Sequence, residues 1–242
     1  WTYSSRTKIS GRSDARHLYL TRFAGDIGGA TVAVATPQGE VEITTPLIGD
    51  FNAQNIVASL GALMALGNDA EPAARALSSA SGVPGRLEIV DDGADRGPVV
   101  VVDYAHTPES LSRVLAALRP MTDRKLICVF GCGGDRDKSK RGPMGSAAER
   151  GADTVIVTSD NPRGESNEEI VAQILGGMRA AGDVAVIHDR SKAIAAGIDA
   201  ACSGDVVLIA GKGHEQYQEI CGERHLFSDS ETASRVLHGL GS

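Results

Sequence analysis

Short apolar runs rich in Val and Ile recur through the last two thirds of the chain, and each stops at a polar, glycine-marked segment. Residues 99–102 run into Asp103-Tyr104-Ala105-His106-Thr107-Pro108, and 127–130 into Gly131-Cys132-Gly133-Gly134-Asp135-Arg136-Asp137. Residues 154–158 run into Ser159-Asp160-Asn161-Pro162-Arg163, and 206–210 into Gly211-Lys212-Gly213-His214-Glu215. Helix-like stretches alternate with them at 108–118, about 140–150, 168–180 and 191–201, with one more strand at 184–187 and a last helix at about 230–240. Apolar strands alternating with helices predict a doubly wound, mostly parallel α/β sheet with right-handed crossovers. In such sheets ligands bind beyond the carboxyl ends of the strands, so the four tips are expected to share one rim and form one site.

The first third has a different rhythm. Strand-like runs at 18–23, 30–35 and 41–45 are punctuated by Gly28-Gly29 and by Pro37-Gln38-Gly39, a hairpin signal. Phe51-Asn52-Ala53-Gln54-Asn55 leads into an Ala/Leu-rich helix over 56–66 that stops at Gly67. A second helix at about 72–80 has Pro72 in its first turn. Ser81-Gly82-Val83-Pro84-Gly85-Arg86 is a Gly/Pro break, which predicts domains over 1–83 and 84–242.

Composition narrows the function. A net charge of −7 and a pI near 5.4 argue against a general nucleic-acid or anionic-membrane binder. No run approaches the roughly 20 apolar residues of a membrane span. The opening Trp1-Thr2-Tyr3-Ser4 lacks a signal-peptide pattern, and with no initiator Met it reads as the start of a fragment or processed product. Cys128, Cys132, Cys202 and Cys221 form no C-x-x-C pair and have no histidine at zinc-ligand spacing, so reduced thiols in a cytoplasmic protein are expected.

Two phosphate-binding patterns fail on inspection. Gly131-x-Gly133 and Gly211-x-Gly213 each follow a strand, but the third glycine of a dinucleotide fingerprint is Arg136 in one and Gln216 in the other. A large side chain there blocks close helix–strand packing. The pattern G-x-x-x-x-G-K-[ST] is absent, since Gly213 follows Gly211-Lys212.

The tips themselves carry paired charge. Pro162 holds Asn161 extended and stiffens the loop, which is expected to present the Arg163 guanidinium outward. A planar fork of donors suits a carboxylate or a phosphate. Arg136 sits on the neighbouring tip, and Asp160 and Glu215 supply the opposite sign. Two arginines with two carboxylates suit a zwitterion such as an amino acid. The alternative is that these charges pair with one another on a solvated rim. Asp103 at a strand end matches an acceptor for ribose hydroxyls. His106 is an acid/base, a phosphate ligand or a helix-start residue, and Thr107-Pro108 also makes an ordinary helix start. Asn52 and Asn55 are either N-cap residues or amides that read an adenine edge.

Taken in order, six motifs resemble the Mur ligases of peptidoglycan synthesis. They are Gly49-x-Phe51-Asn52-x-x-Asn55, Gly82-Val83-Pro84-Gly85-Arg86, Asp103 to Pro108, Gly133-Gly134-Asp135-Arg136-Asp137 with Lys140-Arg141, Asp160-Asn161-Pro162-Arg163, and Gly211-Lys212-Gly213-His214-Glu215. Within the family the set is similar to members that add meso-diaminopimelate to UDP-N-acetylmuramoyl-L-alanyl-D-glutamate (UDP-MurNAc-L-Ala-D-Glu). The resemblance implies three domains, of which this chain would hold the end of the central ATPase domain and the whole C-terminal Rossmann-like domain. Related ligases, of the folylpolyglutamate or cyanophycin synthetase type, would share the fold but not the Asp-Asn-Pro-Arg tip. A non-enzymatic amino-acid-binding module would explain the missing P-loop, but not Asn52, Asn55, Arg86 and Asp103.

The resemblance also implies roles. Asp160, Asn161, Pro162 and Arg163 would recognise diaminopimelate, together with Arg136, Gly211 and Glu215. Lysine-adding relatives depart from this pattern, and lysine has no distal carboxylate for Arg163. Asn52 and Asn55 would lie at the adenine, Arg86 near the ATP phosphates and Asp103 at the ribose, with Tyr104 and His106 close by. ATP would convert the D-glutamate γ-carboxylate to an acyl phosphate, which the diaminopimelate amine attacks. Mg²⁺, the P-loop, the UDP site and a carboxylated lysine would belong to sequence upstream of Trp1; Lys8 and Lys212 do not match that lysine. The isolated chain is therefore expected to be inactive, and the protein a cytoplasmic monomer.

Overall fold

The computed structural model of the chain describes residues 2–4, 17–90 and 97–239. Trp1, Lys8 and Leu240 lie outside the described residues. The chain divides into two compact units, Trp1–Gly82 and Val83–Ser242.

The first unit is a four-stranded sheet covered by two helices. Strands β1 (Thr2–Ser4), β2 (His17–Asp26), β3 (Gly29–Thr36) and β4 (Gly39–Thr45) lie in that order; β1 runs parallel to β2, and the other neighbours are antiparallel. Pro37-Gln38 closes the β3–β4 hairpin where the turn signal places it. On β4, Val41, Ile43 and Thr45 point inward while Glu40, Glu42 and Thr44 face water, the period of a half-buried strand. Helices α1 (Asp50–Ala65) and α2 (Ala70–Ser78) bury Ile56, Val57, Leu60 and Ala73 against Leu18, Val32, Val34 and Ile43.

The start of α1 corrects an expectation. The helix begins at Asp50, so Asn52 and Asn55 are helical residues, and neither caps. The cap position is Gly49, with no side-chain cap bond. The Asn52 amide donates to the Ile48 carbonyl at 2.9 Å, and the Asn55 amide donates to Asn52 Oδ1 at 3.2 Å.

The second unit is the doubly wound sheet. Its strands are β5 (Glu88–Val90), β6 (Val99–Asp103), β7 (Leu126–Phe130), β8 (Thr154–Val157), β9 (Ala185–Val186) and β10 (Val206–Ala210), in the order β5-β6-β10-β7-β8-β9. All neighbours are parallel except the antiparallel edge strand β5. Among the described residues five α-helices complete the unit: α3 (Pro108–Leu118), α4 (Arg141–Gly151), α5 (Asn167–Leu175), α6 (Arg190–Asp199) and α7 (Asp229–Leu237). α3, α4 and α5 pack in succession, while α6 and α7 pack together on the layer that holds Val100, Val102, Ile127, Val129, Val207 and Ile209. β7 and β10 are buried along their whole length, as their continuous apolar runs require.

Register sets the site. Asp103 pairs with Ala210, Ala210 with Phe130, and Phe130 with Val157, so four parallel strands end level. β10 returns between β6 and β7, which opens the crevice of a switch point there.

Three departures from the sequence reading stand out. α5 ends at Leu175 instead of continuing to 180, because Gly176-Gly177 leaves the helix where a Cβ on Gly177 would lie 2.0 Å from the Gly142 carbonyl oxygen. The edge strand β5 is additional. A hairpin of β11 (Tyr217–Ile220) and β12 (Glu223–Leu226) also follows the last parallel strand. The Thr107-Pro108 helix start is real: Thr107 and Ser110 form a reciprocal capping box, with Pro108 opening the helix.

Candidate functional site

A cleft of about 250 Å³ lies on the level rim of the second unit. All four tips line it, through Tyr104 and His106, Gly131 to Gly133 with Arg136 and Asp137, Asp160, Asn161 and Arg163, and Gly211 with Glu215, while Pro162 does not reach it. The tips of β7 and β8 touch backbone to backbone. Gly134 N–H donates to the Asn161 carbonyl at 2.8 Å, and a Cβ on Gly134 would sit 1.9 Å from the Pro162 carbonyl oxygen.

Charges in the cleft do not simply cancel. Asn161 is buried: its Oδ1 accepts from Lys212 Nζ at 2.9 Å and from Glu219 N–H at 2.9 Å, while its Nδ2 donates to Glu215 Oε2 at 2.8 Å. Lys212 Nζ also meets Glu215 Oε2 at 3.0 Å. Asp160 is buried and lines the cleft, and its carboxylate makes no ion pair or hydrogen bond among the described residues. Gly211 faces it: a Cβ there would meet Asp160 Oδ2 at 2.7 Å, and its φ of +121° is glycine territory. Among the described residues, the Arg136 side chain bonds only to the adjacent Asp135 carbonyl.

Arg163 departs from expectation. Its side chain is tucked in rather than presented outward, and is 16% exposed. One Nη donates to the Gly134 carbonyl at 2.9 Å, and Nε lies 3.4 Å from Glu219. Its φ of +51° is a left-handed conformation, held by backbone bonds to Glu219 and Cys221 on the hairpin side. Arg163 still lines the cleft, and its fork has N–H groups beyond those two contacts.

Two buried arginines fix the rim from below. Arg141, fully buried, makes a bidentate pair with Glu165 at 3.0 Å and bonds to Gln173 and to the Gly133 carbonyl. Arg141, Lys138 and the Asp135 N–H together hold the Glu165 carboxyl down to about 2. A depressed carboxyl contributes stability that is complete above its unfolded value of 4.5 and is lost as pH falls through about 2. In acid unfolding, Glu165→Gln should therefore lie below the native protein above pH 4.5 and converge with it toward pH 2. A constant gap across that window would refute the assignment. Arg190 pairs with Asp229 at 2.7 and 2.8 Å and also donates to the carbonyls of Ala210 and Ser159, at the ends of β10 and β8.

The nucleotide-side candidates fall into two places. Asp103 is buried, with Oδ2 accepting from Leu87 N–H and Oδ1 from Ala105 N–H at 2.9 and 2.8 Å. Burial raises its pKa, and those backbone bonds pull it back. As placed, Asp103 clasps the 85–87 segment to the end of β6. Arg86 stacks over Tyr104 at 4.6 Å, and Tyr104 packs against His106 and His214. His106 bonds the Tyr104 carbonyl through Nδ1. Asn52 and Asn55 belong to the first unit. Burial pushes the Cys128 and Cys132 thiols up to about 12, which makes them unsuitable as nucleophiles. Among the described residues no cluster of three or more His, Cys, Asp or Glu could hold a metal ion, and no helix is long and apolar enough to cross a membrane.

Sequence reasoning missed the supporting residues Lys212, Glu219, Arg141, Glu165, Arg190 and Asp229. Only Arg141 and Lys212 carried a signal, as members of the Lys140-Arg141 and Gly211–Glu215 motifs, and neither pattern showed that the side chain is buried.

Level parallel strand ends, glycine contacts between tips and charges of both signs around one cleft define a Rossmann-like domain with a polar rim cleft. A profile described as Mur ligase, glutamate ligase domain, matches residues 85–213, and the chain belongs to the Mur ligase family. It is 50% identical over 220 residues to the UDP-N-acetylmuramoyl-L-alanyl-D-glutamate–2,6-diaminopimelate ligase of Pseudomonas aeruginosa, covering 91% of this chain and 45% of that protein. A solved structure of a ligase of the same name is 39% identical with a TM-score of 0.68, over 98% of this chain and 47% of the other. Mycobacterium tuberculosis folylpolyglutamate synthase complexed with ADP is 27% identical with a TM-score of 0.62, over 80% of this chain and 45% of the other. The chain spans about half the length of the curated relatives it matches. The family and fold expected from the six ordered motifs are those found.

Proposed function

We propose that this chain supplies the amino-acid site of an ATP-dependent ligase that joins meso-diaminopimelate to UDP-MurNAc-L-Ala-D-Glu through an amide bond. The observation that carries the reading is the cleft, which Arg136 and Arg163 line together with Asp160 and Glu215. In this reading the arginines hold a carboxylate of diaminopimelate, and the two acidic side chains hold its ammonium. Asn161 and Gly211 shape the wall between them. Residues 1–83 end a central ATP-binding domain, and 84–242 form the domain that takes the incoming amino acid. When bound, ATP supplies the phosphoryl group that activates the glutamyl carboxylate as an acyl phosphate.

This chain's residues do the placing. They orient the amine donor and strip it of water, which is where catalysis of this type gains most. Arg86 brings positive charge, and Tyr104 and His106 an aromatic face, to the neighbouring wall, with Asp103 holding that wall in position. Asn52 and Asn55 serve the adenine side. The described residues offer no ligand cluster for Mg²⁺, so no step is assigned to the metal here. The protein works as a cytoplasmic monomer. Full-length protein given UDP-MurNAc-L-Ala-D-Glu, ATP and meso-diaminopimelate should release phosphate and form one amide-linked product by mass spectrometry. Absence of that product, with the folded protein and all three substrates present, would overturn the reading.

A further inference from the structure

Lys212 has no place in the function as proposed so far. Its side chain is fully buried and does not line the cleft, so it touches no ligand there. A buried ammonium is costly unless fully engaged. Here it donates to Asn161 Oδ1 and Glu215 Oε2 at 2.9 and 3.0 Å, and it lies 5.6 Å from the centre of the Tyr217 ring.

The consequence lies in what those bonds forbid. Asn161 cannot flip, because turning the amide would set its NH2 against the Lys212 ammonium and the Glu219 N–H. Glu215 Oε2 is likewise committed, to Lys212 and to Asn161 Nδ2, while Oε1 has no hydrogen-bond partner among the described residues. One oxygen of a cleft-lining carboxylate is thus pinned and half neutralised, and the other is left for a cation.

We propose that Lys212 is a positioning residue for the amino-acid site: it locks the Asn161 amide and aims the free oxygen of Glu215 at the ligand's ammonium group. The inference rests on the reading of the cleft as the diaminopimelate site. Lys212 acts through Glu215 and Asn161 and has no direct part in the reaction.

The test is steady-state kinetics of the full-length protein. Lys212→Met should raise KM for meso-diaminopimelate about tenfold or more and leave KM for ATP and kcat within about threefold. Glu215→Gln should raise the same KM. In the double variant the two effects should combine to less than their product, because they share one path. An unchanged KM in Lys212→Met, or effects that multiply fully in the double variant, would overturn the proposal. If Lys212→Met does not fold, the double variant, which leaves no unpaired buried charge, is compared with Glu215→Gln alone. A KM within about threefold of that variant supports the shared path, and a larger rise overturns it. A wild-type protein that ignores meso-diaminopimelate but uses another amino acid overturns the substrate reading alone; the same comparison is then made with that amino acid.

Discussion

Arg163→Ala is expected to lower kcat/KM for meso-diaminopimelate by about 2–4 kcal/mol, roughly 30- to 700-fold, with the loss mainly in KM. Two positions of the guanidinium fork are spent on the Gly134 carbonyl and Glu219, which fix its plane, and Arg163 lines the cleft. Removing it leaves the ligand carboxylate with Arg136 alone and takes the counter-charge from Glu219. Arg163→Lys should recover only part of the loss, since a single ammonium cannot hold Gly134, Glu219 and a carboxylate in one plane. Folding should change little, because Ala at φ +51° meets the same backbone strain as Arg. A variant with normal use of diaminopimelate would remove Arg163 from the site.

Asp229→Ala should destabilise the protein by about 3–5 kcal/mol in denaturant unfolding, since it strands a fully buried guanidinium. Burial is the largest single influence on Arg190 and pulls its pKa down, but Asp229, with smaller help from Asp160 and Glu215, more than offsets it, so the cation persists in the interior. Arg190 also ties the ends of β8 and β10 together through Ser159 and Ala210. Replacing both partners, as Arg190→Met with Asp229→Leu, should restore most of the stability, because the charges leave together. It should still blur the rim, and KM should remain raised. A single variant as stable as the native protein would mean that Asp229 does not carry this pair.

The strand tips were legible because buried parallel strands write themselves as uninterrupted apolar runs, and chain polarity then puts every tip on one side. That logic located Asp103, Gly131, Asp160 and Gly211 without any contact information. It could not order the strands, since the return of β10 between β6 and β7 leaves no local mark. The β11–β12 hairpin was missed for a different reason. Its second strand, Glu223-Arg224-His225-Leu226, is exposed along its length, so it shows no buried face. Its turn is Cys221-Gly222, with both residues at positive φ, and cysteine is an unusual first residue there. The hairpin matters because Gln218 and Glu219 bond the Asp160-Asn161 tip and hold Arg163 inward. The same blindness hid Lys212, Arg190 and Asp229: a charged residue in a sequence gives no sign that it will be buried and paired with one far away in the chain.

The account turns on opposed charges in one cleft selecting an amino acid with a second carboxylate. The most direct measurement is the ratio of kcat/KM for meso-diaminopimelate to that for L-lysine, in wild type and Arg163→Ala side by side. The account predicts a wild-type preference on the order of 100-fold or more, as a bidentate arginine–carboxylate contact supports, and its near collapse in the variant. Equal use of lysine by the wild type, or a preference that survives the loss of Arg163, would contradict it.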